Sequence, residues 1–361
     1  MWGDIAIAFL LAFITAYVVT PYTIRFARKV RAVDIPRGNK RKIHKRVMPR
    51  LGGLAVIAGF SVSVIYLLIV MTLEGSASFD SYYTQLIGFF SGALVLSIFC
   101  FIDDLKGIPA IVKLLGQIIA ACIVVFTGTS IERIELFNLS GTFVNNETFL
   151  LIFTVIWIVG ITNAINLIDG LDGLSSGICL ISCISLLIIF ALNDSPMLSI
   201  ILVTALAGAV LGFLPFNFNP ARTFIGDTGS NFLGFALAII AIIGAAKTYT
   251  AIVLIAPLIV LAVPLLDTAL AIFRRIIKTK SLKGIFQADK EHLHHKIMKR
   301  GYSQKQAVFM LYGLTATLGM FAIILLESGI WKALSFALMV IAIIAVGYKD
   351  IMKLRKDEES D

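Results

Sequence analysis

The stretch TFLLIFTVIWIVGITNAINLIDGLDGLSSGICLISCISLLIIFAL, residues 148–192, decides the fold class. Two apolar runs, 148–167 and 174–192, flank a turn whose Asp169 and Asp172 are the only charged groups in the stretch. A helix of about 20 apolar residues crosses the hydrocarbon core of a bilayer. In lipid every backbone N–H and C=O must be satisfied within the segment, so such runs form helices. The two acids then lie at one membrane surface. Carboxylates there are costly unless they hold a metal, move protons or meet a charged substrate.

Outward from this hairpin the same pattern continues. The chain has 361 residues, 58% of them hydrophobic and 15% charged, well below the quarter charged of a soluble domain. Further apolar runs lie near 4–24, 51–73, 82–102, 110–127, 197–215, 230–246, 249–273, 307–326 and 331–348. The sequence thus predicts an all-α, polytopic integral membrane protein of about eleven transmembrane helices. It forms a single domain over 1–361, with a loop at 274–306 as its only sizeable appendage. No basic region precedes the first run, which reads as an uncleaved span. Cys100, Cys122, Cys179 and Cys183 all fall within apolar runs, without metal or disulfide spacing, and read as core residues.

The basic residues set the orientation. With the N-terminus outside and the C-terminus cytoplasmic, the inside segments 25–50, 103–109, 216–229, 274–306 and 349–361 hold 27 of the 31 Lys and Arg. The outside loops hold only Arg133, Lys247 and Lys332, and Lys113 begins the fourth span near the inside face. The net charge of +9 is therefore a matter of topology and gives no reason to expect nucleic acid.

This topology places four motifs on the cytoplasmic face: FIDDLKG (101–107), NLIDGLDGL (166–174), FIGDTGS (224–230) and HLHH (292–295). Asp103 and Asp104 sit at the C-terminal end of a span, where the helix dipole disfavours acids. Adjacent helical residues point about 100° apart, so one could face a metal and the other a phosphate. Asp169 and Asp172 could ligate Mg²⁺ or orient a substrate group, or simply form a Gly/Asp turn; Asn163 and Asn166 lie about one turn upstream. In FNFNPARTFIGDTGS (216–230), Gly226 and Gly229 bracket Asp227 at the start of the next span, a helix N-terminus suited to phosphate. Asp227 could hold Mg²⁺ there or merely cap the helix. Phe224 could stack on a base and Asn217 could read its edge. His292, His294 and His295, with Lys290, Lys296, Lys299 and Arg300 beside them, suit an anion better than zinc, or lie on anionic lipid. His44, Lys45 and Arg50 lie in the basic stretch RGNKRKIHKRVMPRLGG, where Lys45 and Arg50 are the residues nearest an anionic substrate. Asp267, after Pro257 and Pro264, either completes the site or bonds to a neighbouring helix.

FIDDLKG, TNAINLIDGLDGL, FIGDTGS, PLLDT and HLHHK, in this order, resemble the polyprenyl-phosphate N-acetylhexosamine-1-phosphate transferases over about residues 33–306. PRLGG (49–53) and HLHH are similar to the branch using UDP-GlcNAc, most of all to the enzymes that begin wall teichoic acid. An enzyme starting a lipopolysaccharide or common-antigen chain is the nearby alternative. The peptidoglycan branch, which uses UDP-MurNAc-pentapeptide, carries a TPTMGG-like stretch and an HHH-type run instead. The resemblance implies transfer of GlcNAc-1-phosphate from UDP-GlcNAc to undecaprenyl phosphate at the plasma membrane, with UMP leaving. It implies Mg²⁺, with Mn²⁺ as the alternative ion, and leaves room for a homodimer. Asp103 matches the position proposed to deprotonate or orient the lipid phosphate. Asp104 and Asp169 match acids around the metal and nucleotide, and Asp227 matches the metal ligand. Asn217 and Phe224 match nucleotide contacts, while Asn166, Asp172 and Lys45 are further candidate substrate contacts. His292, His294 and His295 match the histidine motif near the sugar or pyrophosphate. Two rival classes remain: an ion-coupled transporter, which would carry midplane acids and internal repeats, and a basic scaffold for cytosolic partners, which leaves the Asp motifs unexplained.

Overall fold

The computed structural model describes residues 2–36, 46–73, 82–131, 146–245, 251–279 and 292–343. These residues form a helical bundle. Its helices are α1 (Trp2–Lys29), α2 (Gly53–Leu73), α3 (Tyr83–Lys106), α4 (Ala110–Phe126), α5 (Glu147–Ile168), α6 (Leu174–Leu192), α7 (Met197–Asn217), α8 (Gly226–Ala245), α9 (Ala251–Val260), α10 (Ala262–Thr279), α11 (Leu293–Lys299), α12 (Gln304–Ser328) and α13 (Ile330–Ile343). Among the described residues, eight of these (α1–α3, α5–α8 and α12) are long and apolar enough to cross a membrane, while α4 and α13 are apolar but shorter. The outward faces of the bundle carry Leu, Ile and Phe, with Leu73 and Phe126 over 80% exposed, as expected of surfaces solvated by lipid tails.

The span expected over 249–273 is broken into α9 and α10, which meet at Leu261. Pro264 is the cause: proline lacks an N–H and its ring crowds the carbonyl four residues back, here that of Val260. The chain recovers at once, since Leu265 N donates to Leu261 O at 3.2 Å. Beyond the break α10 continues to Thr279, into what the sequence suggested was loop.

The bundle is organised around α8. Every residue of α8 is buried except Asp227, the second residue of its first turn. Helices α2, α3, α5, α6, α7 and α9 surround it. Without a hydrophobic driving force between helices in lipid, close backbone approach through small residues holds them together. At the α2–α8 crossing a Cβ on Gly53 would lie 2.1 Å from Gly229 Cα. Backbone cannot yield as a side-chain tip can, and overpacking a tight core costs about 1–3 kcal/mol. Gly53→Ala is therefore expected to lower the thermal unfolding transition of the detergent-purified protein by several degrees. An unchanged transition would show that α2 and α8 can separate freely.

The only strands among the described residues are β1 (Val33–Asp34) and β2 (Met48–Pro49), an antiparallel pair with Val33 opposite Pro49. This ribbon is stitched to the segment before α8. Phe224 N donates to Pro49 O at 2.8 Å, Gly52 N to Phe224 O at 3.0 Å and Gly53 N to Ile225 O at 2.8 Å. The result brings Arg50 over the first turn of α8.

Candidate active site

Three helix ends meet where α8 begins. The C-terminal turn of α3 brings Asp103 and Asp104, the last turns of α5 bring Asn163 and Asn166, and α8 brings Asp227. The first turn of α4 adds Lys113. Three of the four motifs singled out in the sequence thus join in one cluster or line the pocket beside it, at one end of the bundle.

Asp227 is the centre of the cluster. Its Oδ2 accepts from Arg50 Nη2 at 3.0 Å, and its Oδ1 accepts from Asn166 Nδ2 at 2.8 Å and also from Lys113 Nζ. Lys113 Nζ lies 3.2 Å from Asp103 Oδ2 and donates to Asn166 Oδ1 at 3.1 Å. One ammonium therefore joins α3, α5 and α8. In the sequence Lys113 stands out only as a basic residue at the inner end of the fourth span, although an ionisable residue inside an apolar span is by default a functional-site candidate.

Asp104 has a different role. Its Oδ1 accepts from Asp227 N at 2.9 Å, and its Oδ2 accepts from Thr228 N at 2.9 Å and Thr228 Oγ1 at 2.7 Å. These are the N–H groups that a helix leaves unsatisfied at its N-terminus. The helix start expected to cradle a phosphate is thus capped by a carboxylate from α3. Gly226 makes this approach feasible: its φ is +73°, and a Cβ there would lie 1.8 Å from Arg50 O and 2.8 Å from Asp104 Oδ2. Below Asp227, Asn231 Nδ2 donates to its carbonyl at 2.8 Å, and Gln117 of α4 ties Asn231 to Asn163.

A pocket of about 800 Å³ opens beside the cluster, lined by Asp227, Asn166, Asp169, Asp172 and Phe224 among others. Asp169 follows the end of α5 and accepts from Ser175 Oγ at 2.6 Å. Burial pushes its pKa up to about 7; the Ser175 hydrogen bond opposes this and the neighbouring Asp227 and Asp104 charges add to it. Asp172 also lines the pocket, accepting from Asn219 Nδ2 at 2.9 Å and Ala221 N at 3.1 Å. Asn217 is buried and its amide closes the same loop, donating to Thr223 O at 3.1 Å and accepting from Ser176 Oγ at 2.8 Å. Phe224 is half-buried and borders the pocket. Lys45 and His44 lie outside the described residues.

The histidines stand behind this pocket. His294 is 2% exposed, and its ring packs on Gly170, where a Cβ would lie 2.4 Å from Nε2. Burial, and then the neighbouring His295 and His292, push its pKa down to about 3. His294 is therefore neutral and does not meet a phosphate as a cation. Its ring centroid is 4.2 Å from that of His295 and 5.8 Å from that of His292. Asp267, for which the sequence left two roles open, bonds to the histidine segment.

As for a metal, no group of three or more His, Cys, Asp or Glu among the described residues forms a ready cage. Mg²⁺ rarely uses one: it keeps waters and binds through one or two carboxylates plus substrate phosphates. Asp227, with its side chain 20% exposed at the pocket edge, and Asp169, which lines the same pocket, supply that kind of oxygen donor. Asp104, with its side chain fully buried and outside the pocket lining, is less free to do so.

A helical membrane bundle that gathers acids, two cations and amides beside a polar pocket at one end has the makings of an enzyme acting on phosphates at a membrane surface. Residues 86–245 match the model for glycosyl transferase family 4. The chain is 36% identical over 332 residues to a probable undecaprenyl-phosphate N-acetylglucosaminyl 1-phosphate transferase of Bacillus subtilis, covering 91% of this chain and 87% of the relative. It is 33% identical over 329 residues to a decaprenyl-phosphate N-acetylglucosaminephosphotransferase of Mycobacterium leprae, covering 86% and 80%. A phospho-N-acetylmuramoyl-pentapeptide-transferase of Streptococcus agalactiae is 31% identical over 243 residues, covering 64% and 70%. The chain belongs to glycosyl transferase family 4, as a polytopic membrane phosphoglycosyltransferase.

Proposed function

We propose that the protein transfers GlcNAc-1-phosphate from UDP-GlcNAc to undecaprenyl phosphate on the cytoplasmic face of the plasma membrane, the first membrane step of a cell-wall polymer such as wall teichoic acid. One observation carries the reading. Asp103, Lys113, Arg50 and Asp227 converge at one end of the bundle beside a pocket of about 800 Å³, a size suited to a nucleotide sugar. The names of the relatives supply the polyprenyl phosphate and the N-acetylglucosamine, and the basic-residue asymmetry supplies the cytoplasmic face.

Both substrates are phosphate anions, so their approach needs charge neutralisation and alignment. A lipid-phosphate oxygen forms a new bond to the sugar-bearing phosphorus, the bond from that phosphorus to the bridging oxygen breaks, and UMP leaves. Lys113 and Arg50 neutralise charge around the two phosphates. Asp103 orients the lipid phosphate at the end of α3, at headgroup depth, and Phe224 offers a face to the uracil. When bound, Mg²⁺ on Asp227 and Asp169 would stabilise charge on the diphosphate. Direct attack is favoured over an aspartyl intermediate, because the lipid phosphate oxygen is already a nucleophile and needs only positioning.

The test is UMP release by purified protein given UDP-GlcNAc, undecaprenyl phosphate and Mg²⁺. Chelation is expected to abolish release, and added Mg²⁺ or Mn²⁺ to restore it; full activity in chelator would remove the metal from the reading. UMP formed only from UDP-MurNAc-pentapeptide would move the substrate to the peptidoglycan branch. No UMP from either would sink the transferase.

A further inference from the structure

Asp267 lies in the first half of α10, 1% exposed, outside the pocket lining. Both of its oxygens reach forward in sequence by some 25 residues. Oδ2 is 2.9 Å from His292 Nδ1, and Oδ1 accepts from Leu293 N at 2.8 Å. Leu293 N is the first N–H of α11, one of those a helix leaves without an internal partner. The carboxylate therefore caps α11 and grips the side chain just ahead of it.

The grip has a chemical polarity. An ionised carboxylate only accepts, so His292 Nδ1 must carry the proton. Two residues on, α11 seats His294 against Gly170, with no room for a Cβ between them. Apolar contacts complete the unit: Val263 of α10, Leu171 of the acidic turn, Leu174 at the start of α6, and Leu293 and Ile297 of α11 pack in one cluster. The same turn carries Asp169 into the pocket.

We infer that Asp267 is a positioning residue for the reaction. It fixes α11 and the protonated nitrogen of His292, and through His294 on Gly170 it sets the turn that presents Asp169. The inference rests on the transferase reading above. In it the histidine segment acts from behind the acidic turn.

Asp267→Asn separates shape from polarity. The amide oxygen still accepts from Leu293 N, but the amide nitrogen now donates toward His292 Nδ1 and forces the ring proton to the other nitrogen. UMP release by full-length Asp267→Asn, His292→Ala and the double variant, with UDP-GlcNAc varied, reads the effect. Asp267→Asn is expected to lose about 10- to 100-fold in kcat, the range seen when an outer partner of a site residue is removed. KM for UDP-GlcNAc and the thermal transition should move little. Because the two residues act as one unit, the double variant should be no slower than the slower single variant. Near-wild-type kcat in Asp267→Asn, or losses that multiply in the double variant, would overturn the role. So would a lowered thermal transition with kcat per folded molecule unchanged, which would mark a purely structural tie. Wild-type protein that releases no UMP would instead defeat the transferase reading itself.

Discussion

Asp227→Asn is expected to leave UMP release at least about 1,000-fold below wild type, while the protein still inserts and unfolds at a similar temperature. Removing one preorganised electrostatic group from a phosphate- or oxyanion-stabilising site typically costs 10²- to 10³-fold in kcat. Here the loss is compounded. The Asp227 carboxylate accepts from three donors, Arg50, Lys113 and Asn166. An amide can accept on one side only, so Asn must turn its NH₂ toward at least one of them. Two cations are left facing a neutral group, and a candidate Mg²⁺ ligand loses its charge. The fold is expected to survive because Asp227 is the one residue of α8 that is not buried, and Asp104 caps the Asp227 backbone N–H whatever the side chain. Near-normal release would remove Asp227 from the centre of the site.

The membrane helices were legible because lipid leaves the backbone no choice, so length and apolarity alone place α1–α3, α5–α8 and α12. The broken span was not legible as two helices. The two prolines were visible, but only one of them, Pro264, falls where its clash with the Val260 carbonyl ends a helix. The gathering of Asp103, Asp104 and Asp227 at one end followed from where each acid falls on its span. What each acid does there did not follow. Asp103 and Asp104 are neighbours in sequence, yet one meets Lys113 and the other caps α8. That division depends on how α3 crosses α8, which no local pattern encodes. The same holds for the histidines: their basic neighbours suggested an anion, but where His294 lies, on Gly170, is set by how α10 and α12 hold α11.

Lys113 shows how a charged residue can be seen and misplaced. In the sequence it reads as one more basic residue near the inside face; in the structure its Nζ contacts acids or amides on three helices. Lys113→Met retains most of the stem and removes the charge. Its expected effect is a fall of at least about 100-fold in kcat, since it takes away one positioned charge of the kind that stabilises phosphoryl transfer. Lys113→Arg should not rescue it. The ammonium is a compact point charge that donates in three directions, whereas a guanidinium is a planar fork suited to one bidentate partner. Raising Mg²⁺ separates two readings of the loss. Without Lys113, Asp103 and Asp227 lose the cation they share and become an acidic pair that should attract a divalent ion more strongly. If Lys113 served only to neutralise that pair, high Mg²⁺ would restore kcat. The expected result is that it does not, because the charge must meet a phosphate from the α4 side, where no other cation among the described residues contacts both Asp103 and Asp227.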